Sequence, residues 1–129
     1  MASTWCPVNE CEFFGAICKA LETIGEPDIS NKMRIPFDLL SEEELESSFV
    51  SANFKAVNVE KRILDFNVDS GFKTVIQLAY ATSIGPDLKE LSNWQNNRFK
   101  AELIKNVVAL GRGTTYLGKM SSYILTASK

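Results

Sequence analysis

Only two stretches of this chain alternate in the manner of β-strands, Ala56 to Val68 and Met120 to Ala127, and the residues around them carry helical spacing or turn signals. Both runs are rich in β-branched and aromatic residues, so they are expected to pair, antiparallel. A lone strand pair is marginal in water and needs helices against it. The expectation is therefore α+β, an antiparallel strand pair carrying four to five helices, in one domain over residues 1–129. In the first run Val57 and Val59 take odd positions whereas Leu64, Phe66 and Val68 take even ones. A bulge near Lys61 and Arg62, or a break into two short strands, accounts for that change of phase.

The helices are announced by their ends. Asn9-Glu10-Cys11-Glu12 reads as an N-cap and acidic first turn before a stripe at Phe13, Phe14, Ile17, Cys18, Leu21 and Ile24. Gly25 stops that helix as a left-handed cap, and Pro27 lies just beyond. Met1 to Val8 has no period and reads as a leading loop anchored by Trp5. Residues Glu26 to Leu40 read as a connector, with Phe37 and Leu39 plugging the core. Ser41-Glu42-Glu43-Glu44 is a capping box, so its carboxylates belong to a helix start rather than to acid catalysis. Leu45 and Phe49 mark that helix's buried side, Asn53 suits a left-handed closing residue, and Phe54 can fold back on Phe49.

Asp69 or Ser70 is expected to cap a helix with the stripe Phe72, Val75, Ile76, Ala79 and Tyr80, which Ile84-Gly85-Pro86 ends in a short turn. Ser92 to Gln95 reads as a second capping box, opening a long helix through Phe99, Leu103, Ile104, Val107 and Leu110. The Gly-rich run Gly111 to Gly118 follows a helix and has Tyr116 where a phosphate-binding G-x-G-x-x-G loop needs glycine, so it reads as a connector. The expected core is Phe14, Ile17, Leu21, Phe37, Leu45, Phe49, Phe54, Val57, Val59, Val75, Ala79, Leu103, Val107 and Ile124.

Composition narrows the chemistry. The sequence has no histidine, which excludes Ser-His-Asp and Cys-His catalysis. Fourteen basic against sixteen acidic residues give a net charge of -2, without the basic footprint of a nucleic-acid binder. No apolar run approaches the ~20 residues of a bilayer helix, so neither nucleic acid nor membrane is an expected partner. Three cysteines, Cys6, Cys11 and Cys18, read as reduced thiols of a cytoplasmic protein, at spacings that fit no compact zinc knuckle. No metal site is expected.

Several short pieces together resemble one family. Trp5 with Pro7 and Phe13-Phe14 is similar to the exit from the fifth strand of class I S-adenosylmethionine-dependent methyltransferases acting on small molecules and quinone-like precursors. Ile35-Pro36-Phe37-Asp38-Leu39 resembles that family's apolar lead into the next helix. Glu44-Leu45, continued by Ala52-Asn53-Phe54-Lys55-Ala56-Val57, resembles the segment ending in strand six, with Asn53 where the family has glycine. Leu125-Thr126-Ala127 resembles the end of strand seven. The likeness spans nearly the whole chain and corresponds to the C-terminal half of the Rossmann-like methyltransferase fold.

That resemblance implies a substrate-side half whose cofactor-binding N-terminal half is missing. The family's glycine-rich loop after strand one and acidic residue after strand two have no match here, so no S-adenosylmethionine ligand is assigned and the isolated chain is expected to bind no cofactor. Residues of about 70–112 correspond to a helical insertion that covers the substrate pocket in relatives. The substrate-pocket candidates are Phe13, Phe14, Tyr80, Trp94, Arg98 and Arg112, against the simpler role of packing and solvent contact. No catalytic residue is identified. Two alternatives stand beside this reading: a non-enzymatic homo-oligomeric interaction module joined through an uncovered sheet edge, and a small-molecule-binding domain with a pocket lined by Phe13, Phe14, Tyr80 and Trp94.

Overall fold

The computed structural model describes residues 1–68, 71–111 and 116–129. Its sheet has three strands, β1 (Ala2–Trp5), β2 (Lys55–Asn67) and β3 (Tyr116–Ser128), in the order β1-β3-β2. The expected pairing of the two long strands is present, antiparallel, with Val59 opposite Leu125 and Leu64 opposite Met120. The leading segment is a strand rather than a loop, pairing Ala2 with Leu125 and Trp5 with Ser122. Four residues are too few for a period to register. Their conformation comes from β3, whose second edge would otherwise lie without backbone partners. Because β1 and β2 both oppose β3, they run parallel to each other.

Among the described residues six α-helices accompany this sheet: α1 (Glu12–Thr23), α2 (Pro27–Arg34) and α3 (Glu42–Ser51) between β1 and β2, then α4 (Phe72–Tyr80), α5 (Gly85–Glu90) and α6 (Asn93–Val108) between β2 and β3. The fold is α+β, with one strand and at least one helix more than the sequence pattern implied. Helices α2 and α5 stand where a connector and a short turn were expected. Pro27 and Pro86 explain both differences, since each sits in the first turn of its helix, where no intrahelical N–H is required. Asp28 and the terminal Lys32 and Arg34 further suit the dipole of α2. Asn9 lies in a 3₁₀ turn over Val8–Glu10, and Cys11 is the N-cap of α1 without a side-chain hydrogen bond.

The helix ends behave largely as their residues require. After α1, Gly25 (φ +82°) donates to the Glu22 carbonyl and Glu26 to that of Leu21, a Schellman closure. After α3, Asn53 (φ +65°) and Phe54 repeat it on Val50 and Phe49, with the Phe49 and Phe54 rings 5.1 Å apart. Ser41 and Glu44 form the full reciprocal capping box. At α6 only half of one exists. Ser92 Oγ accepts from the Gln95 backbone, but the Gln95 amide donates instead to Glu26 Oε1 at 2.8 Å, tying α6 to the end of α1. The expected cap residues Asp69 and Ser70 lie outside the described residues, and Gly71 is the N-cap of α4.

Strand β2 has no bulge at Lys61 and Arg62. Its register is continuous from Asn58 to Asp65, and the irregularities lie at its ends: one beside Ala56 (φ +50°), the other where β3 accommodates an extra residue near Gly118 (φ +89°). The change of apolar phase has another cause, namely that the two faces of the sheet are covered at opposite ends. Val57 and Val59 point to the face where Tyr123 and Leu125 meet Leu45 and Phe49 of α3. Phe66 points to the other face, with Met120, and joins the main core around α1. That core gathers Phe13, Ile17 and Leu21 with Val75, Ile84, Leu88, Phe99, Leu103, Val107 and Leu117.

Several expected core residues are only half-buried: Phe14, Phe49, Phe54, Val57, Val59 and Ile124. Leu39 is 60% exposed, unlike Phe37. Ile124 alternates with Tyr123 and Leu125, which occupy the covered face and leave Ile124 on the other. No helix among the described residues is long and apolar enough to cross a membrane.

Candidate functional site

Strand alternation puts Ser3, Trp5, Glu60, Arg62, Leu64, Met120, Ser122 and Ile124 on one face of the sheet, since Trp5 faces Ser122, Leu64 faces Met120, and Glu60 faces Ile124. Helix α3 lies on the opposite face. At the carboxyl ends of β1 and β2, this open face forms a groove of about 390 Å³, lined by Trp5, Phe14, Leu64, Asp65, Phe66 and Met120. Trp5 is 44% and Leu64 73% exposed. A second hollow of about 370 Å³ adjoins it across Trp5, lined by Ser3, Thr4, Pro36, Leu39 and Ser122.

Aromatic rings build the groove wall. Trp5 lies 6.2 Å from Phe37, Phe37 4.8 Å from Phe14, Phe14 5.6 Å from Phe13, and Phe13 5.8 Å edge-on to Phe66. The row thus runs from β1 through the turn before α3 and through α1 to β2. Phe13 and Phe37 are buried beneath it and fix the rings that reach the surface. Among the described lining residues Asp65 alone is ionisable, and alternation turns its carboxylate to the other face, where it accepts from Tyr116 Oη at 3.1 Å. The groove therefore presents rings, a thioether and an aliphatic chain, a surface suited to the uncharged apolar part of a small molecule.

The five sequence candidates that lie among the described residues do not converge. Phe14 lines the groove and Phe13 supports it from below, fully buried. Tyr80 lies in a separate hollow of about 160 Å³ with Ile76, Gln77 and Lys100. Its hydroxyl donates to Asn96 Oδ1, its ring meets Phe99 edge-on, and burial pushes its pKa up. Trp94 is 67% exposed on α6, with the Arg98 guanidinium 5.5 Å from its ring. A pocket shared by Phe13, Phe14, Tyr80 and Trp94 is thus not formed: Phe13 is inside the core, Trp94 belongs to α6, which packs on α1, and Tyr80 to α4, which packs on α5 and α6. Arg112 lies outside the described residues. Sequence alone marks Leu64, Phe66 and Met120 only as strand residues; the signal for their place in the groove is the even phase of Leu64 and Phe66, which addresses a different face from Val57 and Val59.

The polar surroundings of the three thiols are structural. Cys11 Sγ lies 3.4 Å from the Ser121 carbonyl, Cys18 Sγ 3.7 Å from that of Ser30, and all three cysteines are free and buried. Burial is the leading cause that raises each thiol's pKa. Among the described residues no group of three or more His, Cys, Asp or Glu side chains is placed to hold a metal. Strand β1 leads through Cys6-Pro7 into the 3₁₀ turn over Val8–Glu10. No protein-family model, curated protein or solved structure matches this chain.

Proposed function

We propose that this chain is the substrate-side portion of an S-adenosylmethionine-dependent methyltransferase, with the groove of Trp5, Phe14, Leu64, Phe66 and Met120 seating the apolar part of a small-molecule substrate. The observation that carries the reading is the position of that groove at the carboxyl ends of the parallel strands β1 and β2. In open α/β sheets ligands bind outside the carboxyl ends of the strands. In support, the pieces that resemble the family's fifth, sixth and seventh strands fall at β1, β2 and β3. On this reading the cofactor is supplied by a separate half, since no residue here matches the family's glycine-rich loop or its acidic residue. Alone, the chain transfers no methyl group, since catalysis of that step is chiefly positioning of donor and acceptor. Its buried, unpaired thiols favour a cytoplasmic setting.

The test is an NMR titration of the chain with 2-naphthol, a neutral bicyclic probe, and separately with S-adenosylmethionine. Naphthol is expected to shift the Met120 methyl and the Trp5 indole while leaving Trp94 in place, and S-adenosylmethionine to shift nothing. Saturable S-adenosylmethionine binding, or naphthol shifts confined to Tyr80 and Trp94, overturns the reading.

A further inference from the structure

We infer that the open face of the sheet is an interface for a second copy of this chain, packed face to face about a two-fold axis. Its apolar centre is Trp5, Leu64, Met120 and Ile124, and no described helix covers Trp5 or Leu64. The identity of the occupant rests on charge. Near its apolar centre this face carries an acid and a base, Glu60 and Arg62, two residues apart on β2, while the further base Lys55 lies at the far end of the strand opposite Ser128. Their side chains are more than half exposed and meet each other at 3.0 Å. A two-fold axis returns the same patch in reverse, so an adjacent pair of opposite sign is self-complementary: Arg62 of each copy meets Glu60 of the other. The covered face is built differently, with Lys61, Asp65 and Lys119 along its rim, and Lys61 and Asp65 bonded within the chain to Glu10 and Tyr116.

Such packing also roofs the groove. Trp5 and Leu64, open to solvent in one chain, become the wall of an enclosed space between two, which strengthens apolar binding by excluding water. The inference does not depend on what the groove holds.

Sedimentation velocity of the full chain up to about 100 µM tests it, with the variants Glu60→Arg, Arg62→Glu and the double exchange. Both side chains are exposed, and circular dichroism checks that each variant is folded. The expected result is a dimer in the parent chain, weakened about tenfold or more by either single exchange through like-charge contact and restored by the double exchange. A parent chain that stays monomeric overturns the inference. So does a dimer indifferent to the exchanges, or one that the double exchange fails to restore.

Discussion

Gly118 lies so close to Glu12 that a β-carbon on it would stand 2.4 Å from the Glu12 Cβ. The glycine has φ +89°, which favours a residue without a side chain, and the next residue, Lys119, donates its backbone N–H to Glu12 Oε1 at 2.9 Å. One contact thus holds the start of α1 against the bulge in β3. Gly118→Ala meets both the φ penalty and the clash and is expected to cost about 2 kcal/mol or more. Gly111 shares φ +89°, and no described atom lies where its β-carbon would stand, so Gly111→Ala should cost about 1 kcal/mol. Urea titration of both checks the contrast, and equal losses would remove the role given to Glu12.

Phe49 and Phe99 separate burial from aromatic character. Phe99 is fully buried under Tyr80, whereas Phe49 is half-buried and holds Phe54 at the end of α3. Phe99→Ala should cost about 3 to 5 kcal/mol, and Phe49→Ala roughly half of that. Reversed values in chemical denaturation would show that the smaller cluster, not the one around α1, carries the stability.

The two serine caps differ in the same testable way. Ser41→Ala removes a reciprocal box and should cost about 1 kcal/mol. At Ser92 the box is half made, and the reaching side chain, Gln95, holds Glu26 instead. Gln95→Ala should therefore loosen the junction of α1 and α6, seen as faster amide exchange at Glu26 and Gln95, while Glu44→Ala acts only within α3. Exchange confined to α6 in Gln95→Ala would argue that the tie is without effect.

The buried thiols set a pH dependence. Their folded pKa values are raised above the ordinary 9.0, chiefly by burial. Below that value both states keep the proton and the stabilisation is complete. Above it the unfolded chain releases protons that the folded chain retains, so stability falls until the folded thiols also ionise. The urea midpoint should be flat from about pH 7 to 8 and decline between about pH 9 and 10, less steeply in Cys18→Ala. A midpoint that rises over this range would contradict the assignment.

What the sequence made legible was local. Gly25 and Asn53 close their helices by residue type alone, and Ser41 to Glu44 contains its own cap. Helices α2 and α5 were hidden because proline signals both a stop and a first turn, and only the surrounding fold decides which role Pro27 and Pro86 take. Strand β1 was hidden because its partner lies more than a hundred positions away. The groove was half legible, since Trp5 and Phe14 stood out as large apolar residues. Leu64 and Met120 joined them only once strand register fixed which residues share a face.

The position of β3 has a consequence for how the chain acquires its shape. Among the described elements it comes last yet lies between the two strands that precede it, so β1 and β2 are synthesised before the strand that joins them in this sheet. The ladders that join them to β3 wait for that strand, and pairing Ala2 with Leu125 closes a loop of more than a hundred residues. Helices α1 to α6 can form early from local contacts, but the sheet is necessarily a late, non-local event. During that interval Trp5, Leu64 and the strand edges that β3 will cover are exposed together, which makes the nascent chain prone to aggregation just before β3 is inserted.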